Sequence, residues 1–199
     1  MKKRKPVLIV IAGPNGSGKT SVTSKLLKHE WMEDALYINP DIVAQEVFGD
    51  WNNEQSILKA LKYCEQQREN CLKEHKSLIF ETVLSTEEKV NFIKHAKDMD
   101  FFIRLFVVGT DNPSINASRI AKRVMQGGHT VPIDKIISRY YKSITNCVIV
   151  SKFADRTYVY DNSTDNEDAK LLFRFVNGRL FKQYIKTLPL WAVNSFYEI

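Results

Sequence analysis

Eight consecutive residues, Gly13-Pro14-Asn15-Gly16-Ser17-Gly18-Lys19-Thr20, spell G-x-x-x-x-G-K-[ST]. Each residue type answers to the chemistry of phosphate. Glycines let successive backbone N–H groups turn inward as an anion-binding nest, and a helix starting at the loop adds the positive end of its dipole. Lys19 has the length to reach β- and γ-phosphates, and the Thr20 hydroxyl suits Mg²⁺. The motif follows an apolar run at 7–11 and opens a helical pattern at 19–29, the context in which it is diagnostic. A nucleoside triphosphate site is the expectation.

Other side chains decide which chemistry follows. Asp41 ends Ile38-Asn39-Pro40-Asp41, just past a short strand at 36–38. A carboxylate there can face the γ-phosphate across the sheet edge, take the proton of an attacking hydroxyl and orient its oxygen. The same residue could instead cap the helix expected over 41–48. Ser77-Leu78-Ile79-Phe80-Glu81 offers an acidic residue at the carboxyl end of a third strand, where ligands of open α/β sheets bind. Arg119 and Arg123 stand four apart, on one face of a helix expected over 116–126. With Gly127-Gly128-His129 behind them, they read as a lid that brings cations onto a transferring phosphoryl group. Lys122 and Arg139 add positive charge nearby. His129 either donates to a phosphate or caps the lid turn. The LSGGQ-type signature and the Asn-Lys-x-Asp guanine motif are both absent from the sequence.

The elements that must hold these groups alternate along the chain. Helical spacing covers 54–74, with Ile57, Leu58, Leu61, Cys64 and Cys71 on one side, and recurs at 87–97. The longest apolar run, 101–108, suits a central strand. Pro132 opens a helix to about 150, and a strand at 156–160 closes at Asp161-Asn162-Ser163. Past 163 come an acidic loop, a strand at 171–176, a turn at Asn177-Gly178, a helix and an aromatic tail. This alternation predicts an α/β, three-layer P-loop NTPase fold of the nucleotide-kinase kind, with a parallel sheet of about five strands and a helical lid. Residues 1–6 are expected to be a disordered basic tail, 7–163 the kinase domain with its lid near 113–132, and 164–199 an extension packed on the same domain.

Net charge is +6 over 199 residues. Lys2, Lys3, Arg4 and Lys5 account for four of these charges, so the remainder gives no whole-surface nucleic-acid footprint. No apolar run reaches the length of a membrane span, and 7–12 leads into a glycine turn instead of a cleavage site. Cys64, Cys71 and Cys147 form no metal or CxxC spacing and read as buried, reduced thiols of a cytoplasmic protein.

Taken together, Ile11 to Thr20, Asn39-Pro40-Asp41, Phe80-Glu81-Thr82-Val83-Leu84-Ser85, Arg119 to Val124 with Gly127 to Pro132, and Asp161-Asn162-Ser163 resemble the zeta-toxin-like P-loop kinases, in particular the short subgroup labelled predicted ABC-type ATPases. The resemblance implies transfer of the γ-phosphate of ATP to a sugar hydroxyl, of the UDP-N-acetylglucosamine type, with Mg²⁺. It gives Asp41 the role of base, and turns Glu81 and Thr82, with Ser85 and His129, toward the acceptor. The family's lid arginine falls on Arg123, a second one falls on His129, and Arg119 either supplies that cation or stacks on adenine. It also implies a small helical antitoxin that blocks the nucleotide site. Two other readings stay open: an ATP-dependent switch with no acceptor, and a polynucleotide kinase. The latter would need a basic groove interleaved with aromatics.

Overall fold

A computed structural model describes residues 5–27, 34–49, 53–126 and 131–196. At its centre lies a seven-stranded sheet in the order β2-β3-β1-β4-β5-β6-β7. The first five strands in chain order, β1 (Val7–Ala12), β2 (Leu36–Ile38), β3 (Leu78–Thr82), β4 (Phe102–Gly109) and β5 (Arg156–Asp161), run parallel. They are the strands expected from the apolar runs. β6 (Lys170–Val176) and β7 (Arg179–Gln183) continue the sheet antiparallel, joined by the Asn177-Gly178 turn.

Residue 179 onward thus corrects one expectation: a strand follows the turn before any helix. Every residue of β7 is exposed. An edge strand wetted on both faces shows no two-residue alternation, so periodicity had nothing to detect. The expected helix comes later, as α7 (Leu190–Phe196).

Helices cover both faces. α1 (Lys19–Leu26) packs Val22 and Leu26 against Ile9, Ile11, Ile79, Phe106 and Val108. On the other face α3 (Glu54–Lys73), α4 (Glu87–Asp98), α6 (Ile133–Ser151) and α7 bury Cys64, Ile93, Ile144 and Trp191 against Val10, Phe80, Leu105 and Phe173. The three cysteines are free and buried. α3 is rotated from the expected face: Ala60, Cys64, Arg68 and Cys71 turn inward, whereas Leu58 and Leu61 are exposed. Small residues at 60 and 64 bring the helix close to the sheet. The Arg68 guanidinium then lies 5.2 Å from the Phe80 ring centroid and 5.9 Å from that of Phe92, replacing water with aromatic faces.

α2 (Pro40–Glu46) and α5 (Pro113–Met125) start by one shared device. Asn39 and Asn112 cap them, and each is followed by a proline whose missing N–H costs nothing at that position. α5 therefore begins three residues ahead of the expected 116, and Asn39, not Asp41, is the cap of α2. No described helix is long and apolar enough to cross a membrane.

Because β1 lies between β3 and β4, the chain leaves the carboxyl end of β1 toward one side and that of β4 toward the other. Ligands of open α/β sheets bind at such a divergence. The loop at 13–20, the start of α2, the end of β3 and the α5 helix all lie along this edge.

Candidate functional site

The loop between β1 and α1 is anchored from three sides. Gly13 donates its N–H to the Thr82 carbonyl at 3.3 Å. Asn116, fully buried on α5, donates through Nδ2 to the Asn15 carbonyl at 2.6 Å, and the Thr110 hydroxyl donates to its Oδ1. From the far side, Asn162 Nδ2 donates to the Ser17 carbonyl at 2.8 Å. Gly18 caps α1 in the left-handed region at φ 89°, and a Cβ there would sit 2.2 Å from Asn162 Nδ2. Glycine is required on both grounds.

Two polar atoms inside this cradle, Asn15 Oδ1 and Ser17 Oγ, are buried without a hydrogen-bond partner. Such orphaned groups are costly unless a ligand meets them. The Lys19 ammonium turns back on the loop, donating to the carbonyls of Gly13 at 2.9 Å and Pro14 at 3.0 Å. Burial pulls its pKa down from 10.5 to about 8; the nearby carboxylate of Glu81 opposes that shift and the cation of Arg123 adds to it.

A chain of hydrogen bonds runs from α1 to α2. Thr20 Oγ1 donates to Glu81 Oε2 at 3.1 Å, and Tyr37 OH donates to Glu81 Oε1 at 2.8 Å. Asn39 Nδ2 donates to the Tyr37 oxygen at 2.8 Å, while Asn39 Oδ1 accepts the Asp41 N–H at 2.8 Å. Burial, with the Glu81 charge, raises the Tyr37 phenol well above its usual range and keeps it a donor. The Glu81 carboxylate is thereby linked, through Tyr37 and Asn39, to the backbone N–H of Asp41. Asp41 itself is exposed on the first turn of α2, and Asn39 does its capping.

Thr82 Oγ1 accepts the Leu84 N–H at 2.9 Å, shaping the turn after β3, and Ser85 is half-buried in that turn. His129 and the Gly127-Gly128 pair lie outside the described residues.

Arg119 and Arg123 share a cleft of about 250 Å³ over the loop with Gly16, Gly18, Lys19, Thr20 and Ile120. Their surroundings differ. Arg119 donates to Asp165 Oδ1 at 2.8 Å through Nε and to the Asn162 carbonyl at 2.8 Å through Nη1. Its cation holds the Asp165 carboxyl below the usual range, helped by Lys122. Arg119 also lines a second cleft of about 430 Å³, on the other side of Gly18, walled by Val22, Leu26, Tyr160 and the 164–169 loop. That cleft is half apolar and rimmed by charge, the character of a site for a planar polar ring.

The oxygens of Thr20 and Glu81, side by side at the end of the glycine loop, fit a hard divalent cation that keeps most of its shell from water and phosphate. Among the described residues no cluster of three or more His, Cys, Asp or Glu could hold a metal alone. Sequence reasoning missed Tyr37, Asn39, Asn116 and Asn162. Asn39 and Asn162 stood inside quoted motifs, but the carbonyl that Asn162 holds is 145 positions away, and Asn39 gains its part only through Tyr37 and the distant Glu81.

A family model described as zeta toxin matches residues 1–171. An uncharacterized protein of Haemophilus influenzae is 28% identical over 134 residues, 66% of this chain and 91% of that one. Among solved structures, the AvrRxo1-ORF1:-ORF2 complex with ATP superposes with a TM-score of 0.64 at 15% identity, over 89% of this chain and 60% of the other. This chain thus spans about three fifths of that one's length. The PezAT chromosomal toxin–antitoxin system of Streptococcus pneumoniae superposes at 0.59 with 16% identity, over 87% and 72%. At such identities the likeness is one of fold.

Proposed function

We propose that this chain, which belongs to the zeta toxin family, is a phosphotransferase that moves the γ-phosphate of ATP to a hydroxyl of a sugar or nucleotide-sugar. The observation that carries this reading is the hydrogen-bonded chain from Thr20 through Glu81, Tyr37 and Asn39 to the start of α2. It ties the phosphate loop to the backbone of the turn that presents the exposed carboxylate of Asp41. A switch that only binds nucleotide has no need of that second carboxylate.

Triphosphate oxygens would take backbone N–H groups within 15–20, the hydroxyl of Ser17 and the ammonium of Lys19. The base would enter the 430 Å³ cleft, with Arg119 as one wall. Thr20 and Glu81 would hold Mg²⁺, which supplies neutralisation of the β- and γ-phosphate charge. Asp41 takes the proton of the acceptor hydroxyl as its oxygen attacks phosphorus. Arg123, beside Lys19, stabilises charge on the equatorial oxygens. The P–O bond to the β-phosphate breaks and ADP leaves. A small helical antitoxin covering the nucleotide site, and a cytoplasmic setting, belong to the same proposal.

Purified protein with γ-labelled ATP and Mg²⁺ tests the reading against UDP-sugars, free sugars, nucleosides and short oligonucleotides. Label is expected on a sugar hydroxyl. Label on an oligonucleotide 5′ end would replace the proposal with a polynucleotide kinase.

Lys19 adds a pH signature. Only its protonated form attracts phosphate, and it loses that proton near pH 8 in the free protein. Above that value ATP binding must take up a proton, so affinity falls by about tenfold per pH unit while Lys19 stays near its full charge below about pH 7. Calorimetric titration from pH 7 to 9.5 checks this; an affinity unchanged across that range would show the ammonium does not meet the phosphates.

A further inference from the structure

α7 lies beyond the residues that the family model matches, yet it reaches the nucleotide site. Trp191 packs its indole on Gly109, where any Cβ would lie 2.1 Å from the ring. Its Nε1 donates to Asp161 Oδ1 at 2.8 Å. The same carboxylate accepts the Ser163 hydroxyl at 2.6 Å and the Ser163 N–H at 3.3 Å, and Ser163 Oγ accepts the Asp111 N–H at 2.9 Å. Asp161 and Ser163 thus clamp the residue between them. That residue is Asn162, whose N–H is fixed on the Gly109 carbonyl at 2.9 Å. Its side chain holds the Ser17 carbonyl and its own carbonyl holds Arg119.

We infer that Trp191 is a positioning residue for the nucleotide site, acting through Asp161 on Asn162 and so on both the phosphate loop and Arg119. The inference rests on the nucleotide reading given above. Its physical content is a coupling. With the indole seated, Asn162 has one orientation, and the loop amides and the Arg119 plane are preset for the triphosphate and the base. With it removed, the Asp161 carboxylate loses a buried donor and swings, and ATP must reorder the site as it binds. Coupling of this kind is reciprocal, so bound ATP steadies α7.

Trp191→Phe deletes the indole N–H and also withdraws the outer ring carbons that meet Gly109, so its readout is the split between ATP affinity and kcat and not stability. ATP affinity is expected to fall about tenfold, with kcat at saturating ATP little altered, as the loss of one hydrogen bond to a charged group implies. A second measurement needs no variant. In the wild type, amide exchange across 190–196 is expected to slow on addition of ATP and Mg²⁺, and in Trp191→Phe it is expected not to respond. Wild-type protein that bound no ATP would remove the nucleotide reading and this inference with it. Wild-type protein that bound ATP, with α7 exchanging at an unchanged rate and the variant of equal affinity, would overturn this inference alone.

Discussion

Asp41→Asn is expected to lower phosphoryl transfer about a thousandfold while ATP affinity stays within about threefold of the wild type. The substitution is nearly isosteric, and the helix start does not depend on it: Asn39 supplies the cap and Pro40 the first-turn geometry. What disappears is the group that takes the acceptor's proton. Steady-state transfer to the sugar acceptor, with ATP binding measured separately by calorimetry, separates chemistry from binding. A nucleotide switch would behave alike with either residue at 41, so full retention of activity would remove the kinase mechanism argued from this position.

The second large effect divides the two arginines. Arg123→Ala is expected to reduce kcat by about a thousandfold with little change in KM for ATP, the behaviour of a cation needed only as charge develops. Arg119→Ala is expected to raise the KM for ATP by about tenfold and to reduce kcat little. The division follows from what each touches. Arg119 is held by Asp165 and the Asn162 carbonyl before any ligand arrives, on the wall shared by both clefts. Arg123 lies beside Lys19 over the loop, close enough to lower that lysine's pKa. Equal losses of kcat in both variants would show that the pair acts as one unit.

The local features of the site were open to reading from the chain. The phosphate loop is eight contiguous residues, and its meaning depends only on the strand before it and the helix after it. Three of the parallel strands, β1, β3 and β4, announced themselves as short apolar runs because both their faces are covered. The arginine pair was recoverable because helical spacing alone puts 119 and 123 side by side.

Partnership across the fold was not readable. Tyr37 looks like one aromatic on a three-residue edge strand; only its bond to Glu81, 44 positions away, gives it a part. Asn116 sits unremarkably in a helix until it meets the Asn15 carbonyl. Glu81 was read as facing the acceptor or as the acidic residue that ends an apolar strand, and its bond to the Thr20 hydroxyl sets it beside the residue proposed to hold the metal. Trp191 reads from the sequence only as part of an aromatic tail. It is buried, and its indole nitrogen also bonds Asp161. Leu58 and Leu61 misled because apolar spacing marks a stripe without saying which side of it meets the sheet. The inward side was chosen by Ala60 and Cys64, whose small volume admits closer approach.

The bond from Asn162 to the Ser17 carbonyl joins residues 145 positions apart, and that from Asn116 to the Asn15 carbonyl spans 101. Seen from the ribosome, the phosphate loop emerges well over a hundred residues ahead of Asn162 and a hundred ahead of Asn116. A nascent chain shorter than about four fifths of this sequence holds a loop whose Ser17 carbonyl has no Asn162 to meet. The full set of braces on the phosphate loop exists only once Asn162 has joined the fold. Fragments from interrupted translation carry the motif without the geometry.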